Sequence, residues 1–244
     1  MRLNWIVCRL FAFVTIAVFL NECAGQNVAG YLTSYSSPDG YYTVSLPQGW
    51  KIDGFKCNGI TAQDTSNPAK GISYLSKLHE GFFMLPTGIT PESYIENYMA
   101  QDFSLGGNTV SDMRIISYED PSFYNNQDLT SLLGGASFTS MPTITKAMRF
   151  SFTVNGIPAE GSFVIRTKDL LGYGTEIDGL FGIYAPADQF NTEAPLLLEA
   201  FNSVQFNPQY RNICIPPIGG NECVVCNDNV CCSHQCDEQG NCNG

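Results

Sequence analysis

The stretch AMRFSFTVNGIPAEGSFVIRT, residues 147–167, decides how this chain folds. Ala147 to Val154 reads as one strand, Ile157 to Thr167 as its return, and Asn155-Gly156 as the joint between them. Asn-Gly favours a type I′ turn because both residues tolerate positive φ, and the twist of that turn matches a pair of antiparallel strands.

Working outward, Gly179 to Tyr184 is a further strand, and Thr192 to Phe201 is a final helix with Pro195 inside its first turn. Residues 110 to 118 have strand character, while 120 to 142 are irregular and polar at first, with Asp128 to Leu133 as a candidate helical turn. Thr90-Pro91-Glu92 starts a helix: Thr caps it, Pro fits the first helical position, and the acid faces the positive end of the dipole. Tyr94, Ile95, Tyr98, Met99 and Phe103 follow at helical spacing. Ile60 to Gln63 and Ile72 to Leu78 are strands joined through Asn67-Pro68. The turn signal Ser37-Pro38-Asp39-Gly40 precedes Tyr41 to Leu46, which alternates with period two and ends at Pro47-Gln48-Gly49-Trp50. These first three strands are expected to form a meander. Strands before, between and after two helices imply the α+β class: a mostly antiparallel sheet covered by helices. No internal repeat or low-complexity tract is visible.

Three segments carry a resemblance. SSPDGYYTVSLPQGW (36–50), TPESYIENYMAQDF (90–103) and APLLLEAFNSVQF (194–206) together resemble the PsbP/Mog1-like superfamily, whose members often begin with a strand ending in Leu-Pro-x-Gly-Trp and finish with a helix leading into Ser and an aromatic strand. The resemblance spans roughly residues 37–207. It implies an antiparallel sheet sandwiched by helices, in proteins that mostly bind or assist other components rather than catalyse. The cysteine-rich tail is not part of that pattern.

The N-terminus reads as a signal peptide over residues 1–25: Arg2 and Arg9 form a basic region, Leu10 to Leu20 is an apolar run broken by Thr15, and Cys23-Ala24-Gly25 offers a cleavage point before Gln26. The apolar run covers about half of the ~20 residues a membrane span needs, so an uncleaved anchor is the alternative. Lipidation at Cys23 is a further alternative, against which Glu22 stands where a small residue is expected. Removing residues 1–25 takes Lys+Arg from 12 to 10, Asp+Glu from 23 to 22, and the net charge from −11 to −12. An acidic chain without a basic cluster is repelled by nucleic acid and by anionic membrane surfaces. Of 19 asparagines, none begins an Asn-x-Ser/Thr sequon, which for an exported chain favours a prokaryotic source. The organisation expected is a signal peptide, a lead-in over 26–36, one domain over 37–207 long enough to bury its own core, a Pro/Gly linker over 208–222, and a cysteine-rich tail over 223–244.

Eight cysteines remain after cleavage: Cys57, Cys214, Cys223, Cys226, Cys231, Cys232, Cys236 and Cys242. An even count in an oxidising compartment reads as disulfides. Seven of them lie in the last 31 residues, so full oxidation within the chain requires one bridge from the tail to Cys57. Cys214, nearest the domain, is the preferred partner. That bridge closes a loop of more than 150 residues, worth on the order of 5 kcal/mol in lost unfolded-chain entropy. The other six cysteines leave every pairing open. Their order, with the adjacent Cys231-Cys232, is that of an inhibitor knot with a short first loop; the plainer reading is a staple for a segment too small to build a core.

Other candidates are sparse. Cys223, Cys226, Cys232 and His234 would suit a tetrahedral zinc site, although the usual second Cys-x2-Cys or His-x3-His partner is missing. His79 and His234 are the two histidines, so a Ser-His or Cys-His pair would have to use His79. Glu119/Asp120 and Glu176/Asp178 are the acids a glycosidase mechanism would draw on. No cofactor motif occurs. Trp50 reads as core, and Phe82-Phe83-Met84-Leu85 as burial against the first helix rather than a ligand groove. The function expected is that of an exported, non-enzymatic binding or accessory protein acting on a protein or cell-envelope partner, with a secreted hydrolase and a zinc-binding tail as the rivals.

Overall fold

The computed structural model describes residues 31–54, 59–75, 84–104, 107–120, 142–170 and 172–207, together with the backbone of 223–226 and 229–232. Along the chain run β1 (Leu32–Ser36), β2 (Tyr42–Pro47), β3 (Trp50–Gly54), β4 (Gly59–Asp64), β5 (Gly71–Leu75), α1 (Pro91–Asn97), α2 (Met99–Ser104), β6 (Val110–Tyr118), β7 (Thr143–Val154), β8 (Ile157–Asp169), β9 (Thr175–Pro186), α3 (Phe190–Asn202), β10 (Gln205–Phe206), β11 (Cys223–Cys226) and β12 (Asn229–Cys232).

The long hairpin belongs to a seven-stranded sheet in the order β3-β4-β5-β9-β8-β7-β6, every pair antiparallel, with β9 at its centre. Asn155 and Gly156 have φ of 51° and 82°, so the joint is left-handed at both residues, as type I′ demands. The hairpin strands extend further than the sequence pattern indicated, to Thr143 and Asp169. Parity then assigns the side chains. Ala147, Val164, Phe181, Ile183, Ile72 and Tyr74 lie on one face, beneath α3 and a small sheet of β1, β2 and β10. Met148, Phe150, Phe152, Phe163, Leu180 and Tyr184 lie on the other, beneath α1 and α2. Two apolar cores therefore share one sheet, and the α+β sandwich is as expected.

Local chemistry explains most element boundaries. In α1, Thr90 Oγ1 accepts from the Ser93 N–H at 3.2 Å while Ser93 Oγ accepts from the Thr90 N–H at 2.9 Å, a reciprocal capping box with Pro91 in the first turn. The helix expected to run on through Phe103 breaks at Tyr98, where φ is −128°, and resumes as α2. Tyr94, fully buried, donates to the Asp102 carboxylate at 2.6 Å and fastens the two pieces together. The last helix begins at Phe190, two residues before its expected start, so Pro195 lies in its interior rather than its first turn.

Two further expectations are corrected. Trp50 does not end the first strand; it opens β3, and it is 8% exposed within the core. The expected meander is displaced as well. β2 pairs with β1 and β10 in the small sheet, and the meander is β3-β4-β5. Gly49, at φ 83°, turns the chain from one sheet to the other. Within the lead-in, residues 32–36 form a strand.

Candidate functional site

Most of the residues singled out by sequence lie outside the described residues: Cys57, His79, Phe82, Phe83, Cys214, His234, Cys236, Cys242 and the span 128–133. Cys223, Cys226, Cys231 and Cys232 fall in a two-stranded antiparallel pair, β11 against β12, in which Cys223 is opposite Cys232, Val224 opposite Cys231, and Cys226 opposite Asn229. Leu85 is buried in the same core as Tyr94 and Ile95 of α1.

The acid candidates are each engaged. Glu119 accepts a hydrogen bond from Ser162. Asp178 is ion-paired with Arg166, and Lys168 Nζ stands 4.0 Å from Glu176. Ser162 and Lys168 are six positions apart on β8, about 20 Å at roughly 3.4 Å per residue. Glycoside hydrolysis needs its two carboxyl groups within about 5–9.5 Å, so the Glu119 and Glu176 ends of β8 do not converge on one bond.

Around Ser162 the helix-α3 face carries a polar cluster. Arg149 Nε donates to Glu160 at 2.8 Å, its Nη2 donates to Asn191 Oδ1 at 3.1 Å, and its guanidinium lies 4.4 Å from the centre of the Phe190 ring. The arginine stacks on one residue of the helix N-terminus and bonds another, fixing α3 against the sheet. These groups satisfy one another.

The open chemistry is at the β6–β7 edge. β6 ends the seven-stranded sheet and is bulged twice, between Ser111 and Arg114 and between Ile115 and Ser117. Bulges blunt an edge against strand addition. The second bulge turns Ile116 outward, 51% exposed, and along the same margin Tyr118 is 62% and Ile144 on β7 41% exposed. Lys146 Nζ lies 5.7 Å from the centre of the Tyr118 ring, and the Tyr118 hydroxyl donates to Glu92 on α1 at 3.3 Å. Desolvation, the Glu92 charge and hydrogen bond, and the Glu96 charge hold the Tyr118 phenol above its ordinary range. Among the described residues, Arg114 and Lys146 are the two Lys/Arg side chains outside an ion pair; Lys51, Lys70, Arg149, Arg166 and Lys168 are all paired. Exposed aliphatic and aromatic groups beside an arginine outside any ion pair are the composition of a contact surface rather than of a catalytic cleft. Sequence reasoning missed this edge because nothing in the segment 110–118 marks which of its apolar residues a bulge will expel.

No family model matches the chain, and no curated protein matches it in sequence. Among solved structures, the solution structure of cyanobacterial PsbP (CyanoP) from Synechocystis sp. PCC 6803 is similar over 75% of this chain and 97% of that one, at 13% identity and a TM-score of 0.32. At that level the likeness carries no conclusion about family or role. The α+β architecture stands on the strands and helices described above.

Proposed function

We propose that this is an exported, non-enzymatic accessory protein of PsbP/Mog1-like type, which binds a protein partner of the cell envelope through the β6–β7 edge and keeps its disulfide-stapled tail as a rigid appendage. The observation that carries the reading is the grouping of Ile116, Tyr118 and Ile144, all large and exposed, with Lys146 on one margin of the sheet. Tyrosine is suited to this role: it offers a broad apolar face and a polar tip while losing little side-chain entropy on contact.

A photo-crosslinking amino acid at position 118 tests it in the producing cell, with position 51 on β3, the opposite margin of the same sheet, as the reference. A discrete adduct from position 118, absent from position 51 and lost when Ile116 and Ile144 are both changed to Ser, is expected. Equal labelling from both margins, or none from position 118, refutes the assignment of this edge. Turnover on ester, peptide or glycoside substrates that is abolished by His79→Ala would instead support the hydrolase reading.

A further inference from the structure

The turn between β7 and β8 is pinned to the neighbouring loop through one residue. Asn155 Oδ1 accepts from the Thr109 N–H at 2.7 Å, and Asn155 Nδ2 donates to Asn108 Oδ1 at 2.9 Å. The Asn155 N–H donates to the Thr109 carbonyl at 2.8 Å. Asn155 and Gly156 are both exposed, so water reaches the turn even though the carboxamide is fixed.

We propose that Asn155-Gly156 is a latent deamidation site, held unreacted in the folded chain by Asn108 and Thr109. In the reaction the Gly156 backbone nitrogen gives its proton to a solvent base and attacks Asn155 Cγ. The bond from Cγ to Nδ2 breaks, and the nitrogen takes up a proton from the solvent and leaves as ammonia. Water then opens the five-membered succinimide at either carbonyl, giving aspartate or isoaspartate, and no oxidant or cofactor takes part. Glycine is the following residue that hinders the attacking nitrogen least, because it has no side chain. Ring closure requires Cγ to swing back over the Gly156 peptide, away from Asn108 and Thr109. Both carboxamide hydrogen bonds must therefore open first, and at the usual net strength of such bonds that holds the reactive form to about a tenth of the population or less.

The product weakens the clamp that delayed it. An aspartate at position 155 has no N–H to offer Asn108, and it adds a negative charge to the turn. An isoaspartate also lengthens the main chain by a carbon inside a two-residue loop whose closure depends on left-handed geometry at both positions. Aspartate loses the bond to Asn108 and keeps those to Thr109, whereas isoaspartate disturbs both and loosens the loop before β6 from the tip of the β7–β8 hairpin.

The test incubates folded protein and the same protein in denaturant at mildly alkaline pH, with conversion followed by peptide mass and by isoaspartyl methylation. Asn155 is expected to convert about tenfold more slowly in the folded chain. Asn108→Ala, which removes one of the two carboxamide bonds, should recover part of that difference, while the rate at Asn58-Gly59 in the same molecules stays unchanged. Equal rates at Asn155 in folded and denatured wild-type protein would overturn the proposal. So would a folded Asn108→Ala variant that converts no faster than wild type. Should that variant not fold, the wild-type comparison decides alone.

Discussion

Glu119, just past the end of edge strand β6, accepts a hydrogen bond from Ser162, which lies two strands further into the sheet on β8 and is 1% exposed. The carboxylate reaches over β7, passing Ala147 and Arg149, and its own N–H donates to the Ala147 carbonyl at 2.8 Å. An edge strand with two bulges has few regular ladder bonds to hold it, and this side chain supplies a lateral tie. A hydrogen bond to a charged acceptor is worth about 1.5–3 kcal/mol. Glu119→Ala, Ser162→Ala and the double variant, compared by urea unfolding, should give a coupling energy in that range. Additive losses would show that the tie contributes nothing.

Alkaline pH should unfold the protein through two tyrosines. Burial first, then the Asp102 charge and hydrogen bond, push the Tyr94 phenol well above its ordinary value. Burial likewise pushes up that of Tyr184, opposed in part by the hydrogen bond from Gln63. Both phenols stay protonated in the native state at a pH where the unfolded chain ionises them. The unfolded state then binds fewer protons, so stability is fully present below about pH 10 and falls as pH rises above it, by about 1.4 kcal/mol per pH unit for each tyrosine. Tyr184→Phe should flatten the alkaline limb of a stability-against-pH curve by about that slope. An unchanged limb would mean that other groups drive base unfolding.

Gly182 stands opposite Phe163 on neighbouring strands of the α1/α2 face. A methyl group there would overlap the Phe163 ring and the Ser162 carbonyl. Gly182→Ala should therefore destabilise by about 1–3 kcal/mol through overpacking, even though alanine suits a strand better than glycine. A neutral result in denaturant unfolding would require the Phe163 ring to have moved, which near-ultraviolet circular dichroism would reveal.

Export and stapling are tested together by the intact mass of the mature protein before and after reduction. An N-terminus at Gln26 and two hydrogens gained for each pair among the eight remaining cysteines are expected. A shortfall in the gain would leave free thiols and favour the zinc reading of Cys223, Cys226, Cys232 and His234, which predicts zinc in the native protein.

The sequence made the long hairpin legible because Asn155-Gly156 states its turn type outright. It likewise marked the start of α1, because Thr90 and Pro91 act on their own helix. What it concealed depends on partners distant in the chain. Tyr42 to Pro47 and Trp50 to Gly54 look like one strand and its end, and only their pairing with β10 on one side and β4 on the other shows that they belong to different sheets. The break at Tyr98 has no proline or glycine to announce it. The exposed edge was hidden for a related reason: Ile115 points into the α1/α2 core while Ile116 is expelled by a bulge, and the two are chemically identical.

The small sheet has a consequence for the order of events in folding. β2 receives its third strand from Gln205 and Phe206, and Ser203 Oγ accepts from the Ser45 N–H at 2.7 Å across 158 residues of sequence. Contacts so remote cost the most loop-closure entropy and are made last. Until the end of the domain arrives, Tyr42 and Tyr74 lack the Phe206 ring, whose centre lies 6.4 Å and 5.4 Å from theirs. A chain still being synthesised holds β2 without its third strand, and the domain closes like a clasp, start to finish, when its last strand comes home.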